Sequence, residues 1–170
     1  MKNILLTIFT IISLFSFGQT TLDQKVFDKV NEYRLSIGLN VLDWDTTCYK
    51  SADIQSTYLK SKVNLVSHSN PLYPNVSDRY NASGGSGYLN IAEVIVLCNN
   101  NYKVSDSLIE EKLATDVVNS WKSSPEHNKI ITSPNFKFAG TSTQLIKSSP
   151  GIKTWYHFDV YSVMVLVDNK

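Results

Sequence analysis

Two histidines and one glutamate are the side chains of this 170-residue chain best suited to chemistry in a shared site. His127 follows Ser124 and Pro125, a hydroxyl N-cap and a proline at the first helical position, so a short helix is predicted to begin there with His127 in its first turn. A histidine beside the partly positive end of a helix tends to stay neutral, which leaves one ring nitrogen available to a metal or a proton. His127 is the first candidate, and His68 and Glu93 are the other two.

Glu93 lies in an apolar, β-branched run over residues 89–97, which predicts a buried strand. A carboxylate inside such a run is costly unless it is paired or hydrogen-bonded. A short strand would also allow Glu93 to point to the solvent. We favour a functional role, because Asn90 is the only other strongly polar side chain in the run.

His68 stands near the start of residues 64–88, where no hydrophobic period holds and proline, glycine, asparagine and serine are frequent. That composition predicts a long loop, and loops of this length are either mobile or functional. Because the loop has few apolar anchors, we expect it to border the site and to be the most mobile part of the domain. His68, Glu93 and His127 are expected to converge in one open cleft.

A long amphipathic helix is predicted before this loop, over residues 22–37, where Leu22 and Ile37 are the first and last members of one apolar face. Thr21 or Asp23 would cap its start, and Gly38 would end it.

Two further helices are predicted from caps and apolar spacing. One begins at a cap within residues 45–47, and the other begins at Ser107 and Glu110, whose spacing is that of a capping box. The predicted inward residues are Cys48, Ala52, Leu59 and Val63 in the former and Leu113, Val117 and Trp121 in the latter.

Strands dominate the rest of the chain. The run over 89–97 is expected to end at the polar residues 99–101, and two more strands are predicted over 136–146 and 154–167, joined by a turn at Pro150 and Gly151. Helices early, strands late and a helix pair between them predict a layered α+β domain.

Residues 1–19 are predicted to be a secretory signal peptide, because a basic start precedes a short apolar core and a small, polar exit. Residues 20–170 are then one domain, located outside the cell or in the periplasm, with no membrane span and expected to be monomeric. Removing Lys2 lowers the formal charge from +1 to zero, so nothing favours nucleic acid or an anionic membrane as the partner.

The two cysteines, Cys48 and Cys98, would enter an oxidising compartment on export and could form a disulfide. Closing a loop of that length would contribute on the order of 4 kcal/mol. Two buried thiols are an equally open alternative, since spacing alone does not fix their geometry.

The order of five motifs resembles the CAP superfamily of cysteine-rich secretory, antigen 5 and pathogenesis-related proteins, in its short bacterial form. The segments that carry the resemblance are Val-Asn-Glu-Tyr-Arg at 30–34, Ser-His-Ser at 67–69, Ala-Glu-Val-Ile at 92–95, the tryptophan and Ser-Pro-Glu-His motif at 118–127, and residues 136–140. The resemblance implies a three-layer α-β-α sandwich with a central, mainly antiparallel sheet and a cleft on one face.

The chain departs from the family pattern around its metal cluster of four residues. Tyr156 occupies the place of the family's late-strand histidine, and His157 falls on the opposite face. The second glutamate of the family has no clear counterpart, since Glu126 is near it but in a different context. His68, Glu93 and His127 are what remain.

These residues favour a secreted binding module whose cleft, lined by the triad together with Ser69 and Ser124, takes a small ligand or an extracellular protein. His68 and His127 could hold a divalent metal such as Zn²⁺, weakly and without a structural role, with Glu93 orienting one ring. The alternatives are a metal-assisted hydrolase or protease, for which no nucleophile motif is present, and an inert extracellular module with a decayed cluster.

Overall fold

The computed structural model describes residues 20–103, 108–148 and 155–169, which form five helices and four strands. The helices are α1 (Thr21–Ser36), α2 (Thr46–Lys60), α3 (Val76–Ala82), α4 (Ile109–Ser123) and α5 (Pro125–Ile131), and the strands are β1 (Asp43–Trp44), β2 (Ile91–Lys103), β3 (Phe138–Ser148) and β4 (Trp155–Val167).

One mainly antiparallel sheet has the strand order β1-β3-β4-β2. The short β1 runs parallel to β3, whereas β3 and β2 each pair antiparallel with β4. Strand β2, which carries Glu93, is therefore an edge strand, and its pairing with β4 extends from Ile91 opposite Val167 to Lys103 opposite Trp155.

Side chains of β4 alternate between two separate cores. Val160, Met164 and Leu166 pack with α1, α4 and α5 on one face, and residues such as Val163 and Val165 pack with α2 and α3 on the other. The helices thus cover both faces of the sheet. This confirms the predicted α-β-α sandwich.

The predicted end of β2 at residues 99–101 is wrong, because the strand continues through them to Lys103. Each of these three asparagine side chains is hydrogen-bonded to another side chain. The hydrogen-bonded pairs are Asn99–Asp159 at 2.6 Å, Asn100–Asp116 at 2.8 Å and Asn101–His157 at 3.0 Å.

The predicted helix starts are close to those observed. Thr20 rather than Thr21 caps α1, in a capping box with Asp23, and Asp45 caps α2. The prediction that Val63 points inward is wrong, because α2 ends at Lys60 and Val63 is 86% exposed. The expected capping box at Ser107 and the turn at 150–151 lie outside the described residues.

The loop predicted over 64–88 contains a helix, α3, which was missed. Asn75 and Asp78 form a capping box at its start, a signal that the irregular composition around it obscured. Its side chains Arg79 and Tyr80 are fully buried. The mobility expected for residues 64–88 stays a prediction, but two of the segment's side chains are firmly anchored.

No disulfide joins Cys48 to Cys98, and both are buried thiols. Cys48, a residue of α2, packs in the core between that helix and the sheet, whereas Cys98 packs on the opposite face of the sheet, where its Sγ lies 3.4 Å from Ser120 Oγ. The sheet separates the two side chains, so of the two alternatives the disulfide is wrong and the pair of buried thiols is the one observed. Burial also raises the pKa of the Cys98 thiol, which makes it a poor nucleophile.

Candidate functional site

A surface cleft of about 530 Å³ opens beside the first residues of the edge strand β2. Its floor is β2, one wall is the segment from His68 to α3, and the other wall is α5. Polar and apolar groups share the lining, which comprises His68, Ser69, Pro74, Asn75, Val76, Ile91, Ala92, Glu93 and Ile130.

The Glu93 carboxylate is the buried anchor of this cleft, with a side chain only 2% exposed. Its Oε1 lies 2.9 Å from His68 Nδ1, and its Oε2 accepts a hydrogen bond of 2.5 Å from Arg79 Nη2. Both oxygens therefore have a partner. The prediction that Glu93 is buried and paired is confirmed, and the alternative of a solvent-facing side chain is wrong.

Arg79 is the site residue that sequence reasoning missed. Its side chain is completely buried, and its Nη1 donates to the backbone oxygens of His68 at 3.3 Å and Tyr73 at 3.0 Å. Arginine cannot lose its charge in a protein, so Glu93 faces a permanent cation. Arg79 belongs to the short helix α3, which places it beside Glu93 of β2. The sequence predicts a loop at that position, so it does not indicate this contact.

The contact with Glu93 fixes the ring of His68. A carboxylate accepts but does not donate hydrogen bonds, so Nδ1 must carry the proton and Nε2 is the nitrogen left for a ligand. The ring itself is 62% exposed. Gln55 of α2 also holds this segment, because its Nε2 donates to the Ser67 oxygen at 2.6 Å. His68 is thus an exposed ring on a fixed backbone.

His127 lies in the first turn of α5, and the Ser124 hydroxyl caps that helix, as predicted. Ser124 Oγ accepts from the His127 backbone N–H at 3.5 Å. Partial burial lowers the pKa of His127, the nearby His68 lowers it further, and Glu126 opposes both. Ile130, one turn on, is the α5 residue that lines the cleft.

Ser69 lines the cleft as predicted, whereas Ser124 does not line it. Two of the three predicted triad residues, His68 and Glu93, meet directly. The third, His127, belongs to the adjoining helix α5 and is not among the residues that line the cleft, and His68 contributes to the lowering of its pKa.

A family model described as CAP, the cysteine-rich secretory protein family, matches residues 27–159, which is most of the chain. This chain belongs to that family. The uncharacterized protein YkwD of Bacillus subtilis (strain 168) is 31% identical to the CAP chain over 120 residues, or 69% of this chain. The chain spans 40% of the length of YkwD.

Two solved structures have the same fold as this CAP chain, each with a TM-score of 0.61. One is an extracellular protein containing an SCP domain from Bacillus anthracis str. Ames, 20% identical, and the match covers 85% of this chain and 40% of that one. The other is an outer surface protein from Borrelia burgdorferi, 18% identical, and the match covers 89% of this chain and 96% of that one. At these identities the likeness shows the fold alone.

The donors of this CAP chain do not fit a resident metal centre. Both carboxylate oxygens of Glu93 already have partners, Oε1 with His68 and Oε2 with Arg79. His157 is engaged elsewhere, with Nδ1 at 3.0 Å from Asn101 Oδ1 and Nε2 at 2.9 Å from Asp159 Oδ1. Among the described residues, no group of three or more His, Cys, Asp and Glu side chains could hold a metal ion. Catalytic zinc sites use three protein ligands and structural ones use four.

Proposed function

We propose that this chain is an exported CAP binding module whose cleft takes a small ligand with one hydrogen-bonding end and one apolar end. The observation that carries the proposal is the Arg79–Glu93–His68 chain, which presents an exposed, oriented imidazole from a buried ion pair. The hydrogen-bonding end would meet His68 Nε2 and Ser69. The apolar end would lie on Val76, Ile91 and Ile130.

The energetics support a functional reason for the buried pair. Taking a carboxylate and a guanidinium out of water costs several kcal/mol for each ion, and hydrophobic residues of similar volume would often be at least as stable. The pair is therefore poorly explained by stability alone. Its effect on His68 is specific, because it fixes which ring nitrogen is free.

Export is part of this proposal. None of the helices within residues 20–103, 108–148 and 155–169 has the length and apolar character needed to cross a bilayer. Two solved structures that share this fold are an extracellular protein and an outer surface protein. Cleavage near residue 19 would leave intact the capping box that Thr20 forms with Asp23 at the start of α1.

A hydrolase is less well supported. The Ser67 hydroxyl donates to the Ser69 backbone oxygen at 3.2 Å, and the Ser124 hydroxyl is used as a helix cap. Neither is paired with a histidine ring as an activated nucleophile requires. Zinc would be a weak, non-structural occupant of the two imidazoles His68 and His127.

A fragment screen followed by NMR tests the binding proposal. We expect small molecules with a hydrogen-bond donor to shift the imidazole C2–H signal of His68 and the methyl signals of Ile130, while the signal of His157 stays fixed. Glu93→Gln should lower the affinity of these fragments about fivefold, which corresponds to the roughly 1 kcal/mol that one hydrogen bond contributes.

Asp159→Asn is the matched control, because Asp159 also pairs with a histidine, His157, at 2.9 Å but lies outside the cleft. It should leave fragment affinity unchanged. If no fragment shifts the His68 signal, or if Glu93→Gln and Asp159→Asn behave alike, the binding proposal is overturned and the inert module is the better description.

A further inference from the structure

The arrangement around Glu93 points to a second role for Arg79, and this inference rests on the proposed function of the cleft. We propose that Arg79 is a built-in cation that takes the place of a metal ion at Glu93, so that the cleft binds its ligand without metal. Arg79 is then a positioning residue that determines which cations the site accepts.

Both oxygens of the Glu93 carboxylate are already occupied. A metal ion on Nε2 of His68 and on His127 would have only these two imidazoles as protein ligands among the described residues, because Glu93 contacts His68 at the other ring nitrogen, Nδ1. Glu93 Oε2 is already bound at 2.5 Å by a guanidinium that is completely buried. A metal could use that oxygen only after displacing Arg79.

The charge of the Arg79–Glu93 pair also disfavours a metal ion there. The buried guanidinium already neutralises the buried carboxylate, so a divalent ion entering beside it would meet no net negative charge from the pair. The affinity of a site for a divalent cation depends on the charge of its ligands, so a carboxylate whose charge is already compensated contributes less to it.

Hydrogen bonds from both outer nitrogens hold the Arg79 guanidinium in place. Nη2 binds Glu93, and Nη1 binds the backbone oxygens of His68 and Tyr73. Its Nε is buried without a hydrogen-bond partner among the described residues. The guanidinium therefore depends on its outer nitrogens, which link Glu93 to the backbone of the His68 segment.

Zinc titration by calorimetry tests this assignment directly. Wild type should bind zinc with a Kd of about a millimolar or weaker, since only two imidazoles are available. Arg79→Met should bind zinc at least about tenfold more tightly, because the uncompensated Glu93 carboxylate then raises the basicity of the His68 ring that would hold the metal. The zinc affinity of Arg79→Met/Glu93→Gln should return to the weak wild-type level. Adding His157→Asn to wild type or to Arg79→Met should leave the zinc affinity unchanged.

A measurement on wild type guards against misfolding of Arg79→Met. The Nε–H NMR signal of buried Arg79 should stay in place when zinc is added until the His68 and His127 signals are saturated. Displacement of Arg79 by zinc would shift that signal and overturn the inference, as would micromolar zinc binding by wild type or equal affinity of a folded Arg79→Met. If fragments still bind at His68 in those cases, the proposed function stands and only the role of Arg79 fails.

Discussion

Arg79→Met is expected to lower the free energy of unfolding by about 3–5 kcal/mol, because it leaves the Glu93 carboxylate buried without its cation. Both side chains are at most 2% exposed, so water cannot replace the lost partner without rearrangement. Domains of this kind have total stabilities of roughly 5–15 kcal/mol, so the loss is a large part of the whole. Urea denaturation of the purified domain measures it.

A double variant distinguishes the lost ion pair from lost packing. Arg79→Met/Glu93→Leu removes both charges and should recover most of the stability, since apolar replacements of a buried pair are often neutral. Arg34→Met is the matched control, because Arg34 is also buried but, within the described part of the chain, donates to the backbone oxygens of Asn40, Ile131 and Ser133 and not to a carboxylate. Adding Glu93→Leu should not rescue it. If the Arg79→Met/Glu93→Leu double variant is no more stable than Arg79→Met, the energetic account of the pair is wrong.

Gly140→Ala is expected to destabilise the domain by about 3 kcal/mol or more, at the upper end of overpacking costs. A Cβ at residue 140 of β3 would lie 2.1 Å from the Tyr49 backbone nitrogen and 2.7 Å from the Asp45 backbone oxygen. These are backbone atoms at the start of α2, so no side-chain rotation can relieve the clash. Thermal or urea unfolding of the variant measures the cost.

Gly38→Ala is the comparison for that variant. Gly38 has a φ of +80°, but nothing lies within 4 Å of a Cβ added there, so the substitution should cost only about 1–2 kcal/mol of backbone strain. Since α2 also carries Gln55, which holds the Ser67 oxygen, Gly140→Ala should in addition weaken fragment binding at His68, whereas Gly38→Ala should not. Equal costs for the two variants would contradict the close packing of α2 on β3.

Local signals predicted much of this fold, because several of its elements are set by caps and apolar periods. The Ser124–Pro125 start of α5, the Asp45 cap of α2 and the alternation along β4 were all readable. The extension of β2 through three asparagines was not, because those residues are stabilised by partners on β4 and α4 that are distant in sequence.

The site was predictable only in part for the same reason. Glu93 stands out in an apolar run, and the histidines stand out by type, so each could be selected individually. Arg79 carries no local signal, since an arginine in an Asn- and Ser-rich segment is usually exposed. Its function depends on α3 folding beneath β2, a tertiary contact that composition does not encode. The positions of Cys48 and Cys98 on opposite faces of the sheet likewise depend on tertiary packing, so their spacing in the sequence does not predict them.

The central claim is that Glu93, held by Arg79, fixes His68 with Nε2 free toward the cleft, and the tautomer of His68 tests it most directly. Long-range ¹H–¹⁵N NMR of the imidazole rings should be recorded about two pH units above the histidine reference pKa of about 6.5, where neutral rings dominate. The account predicts the Nδ1–H tautomer for His68 in wild type and its loss in Glu93→Gln. An Nε2–H tautomer in wild type, or a spectrum that Glu93→Gln leaves unchanged, would contradict it.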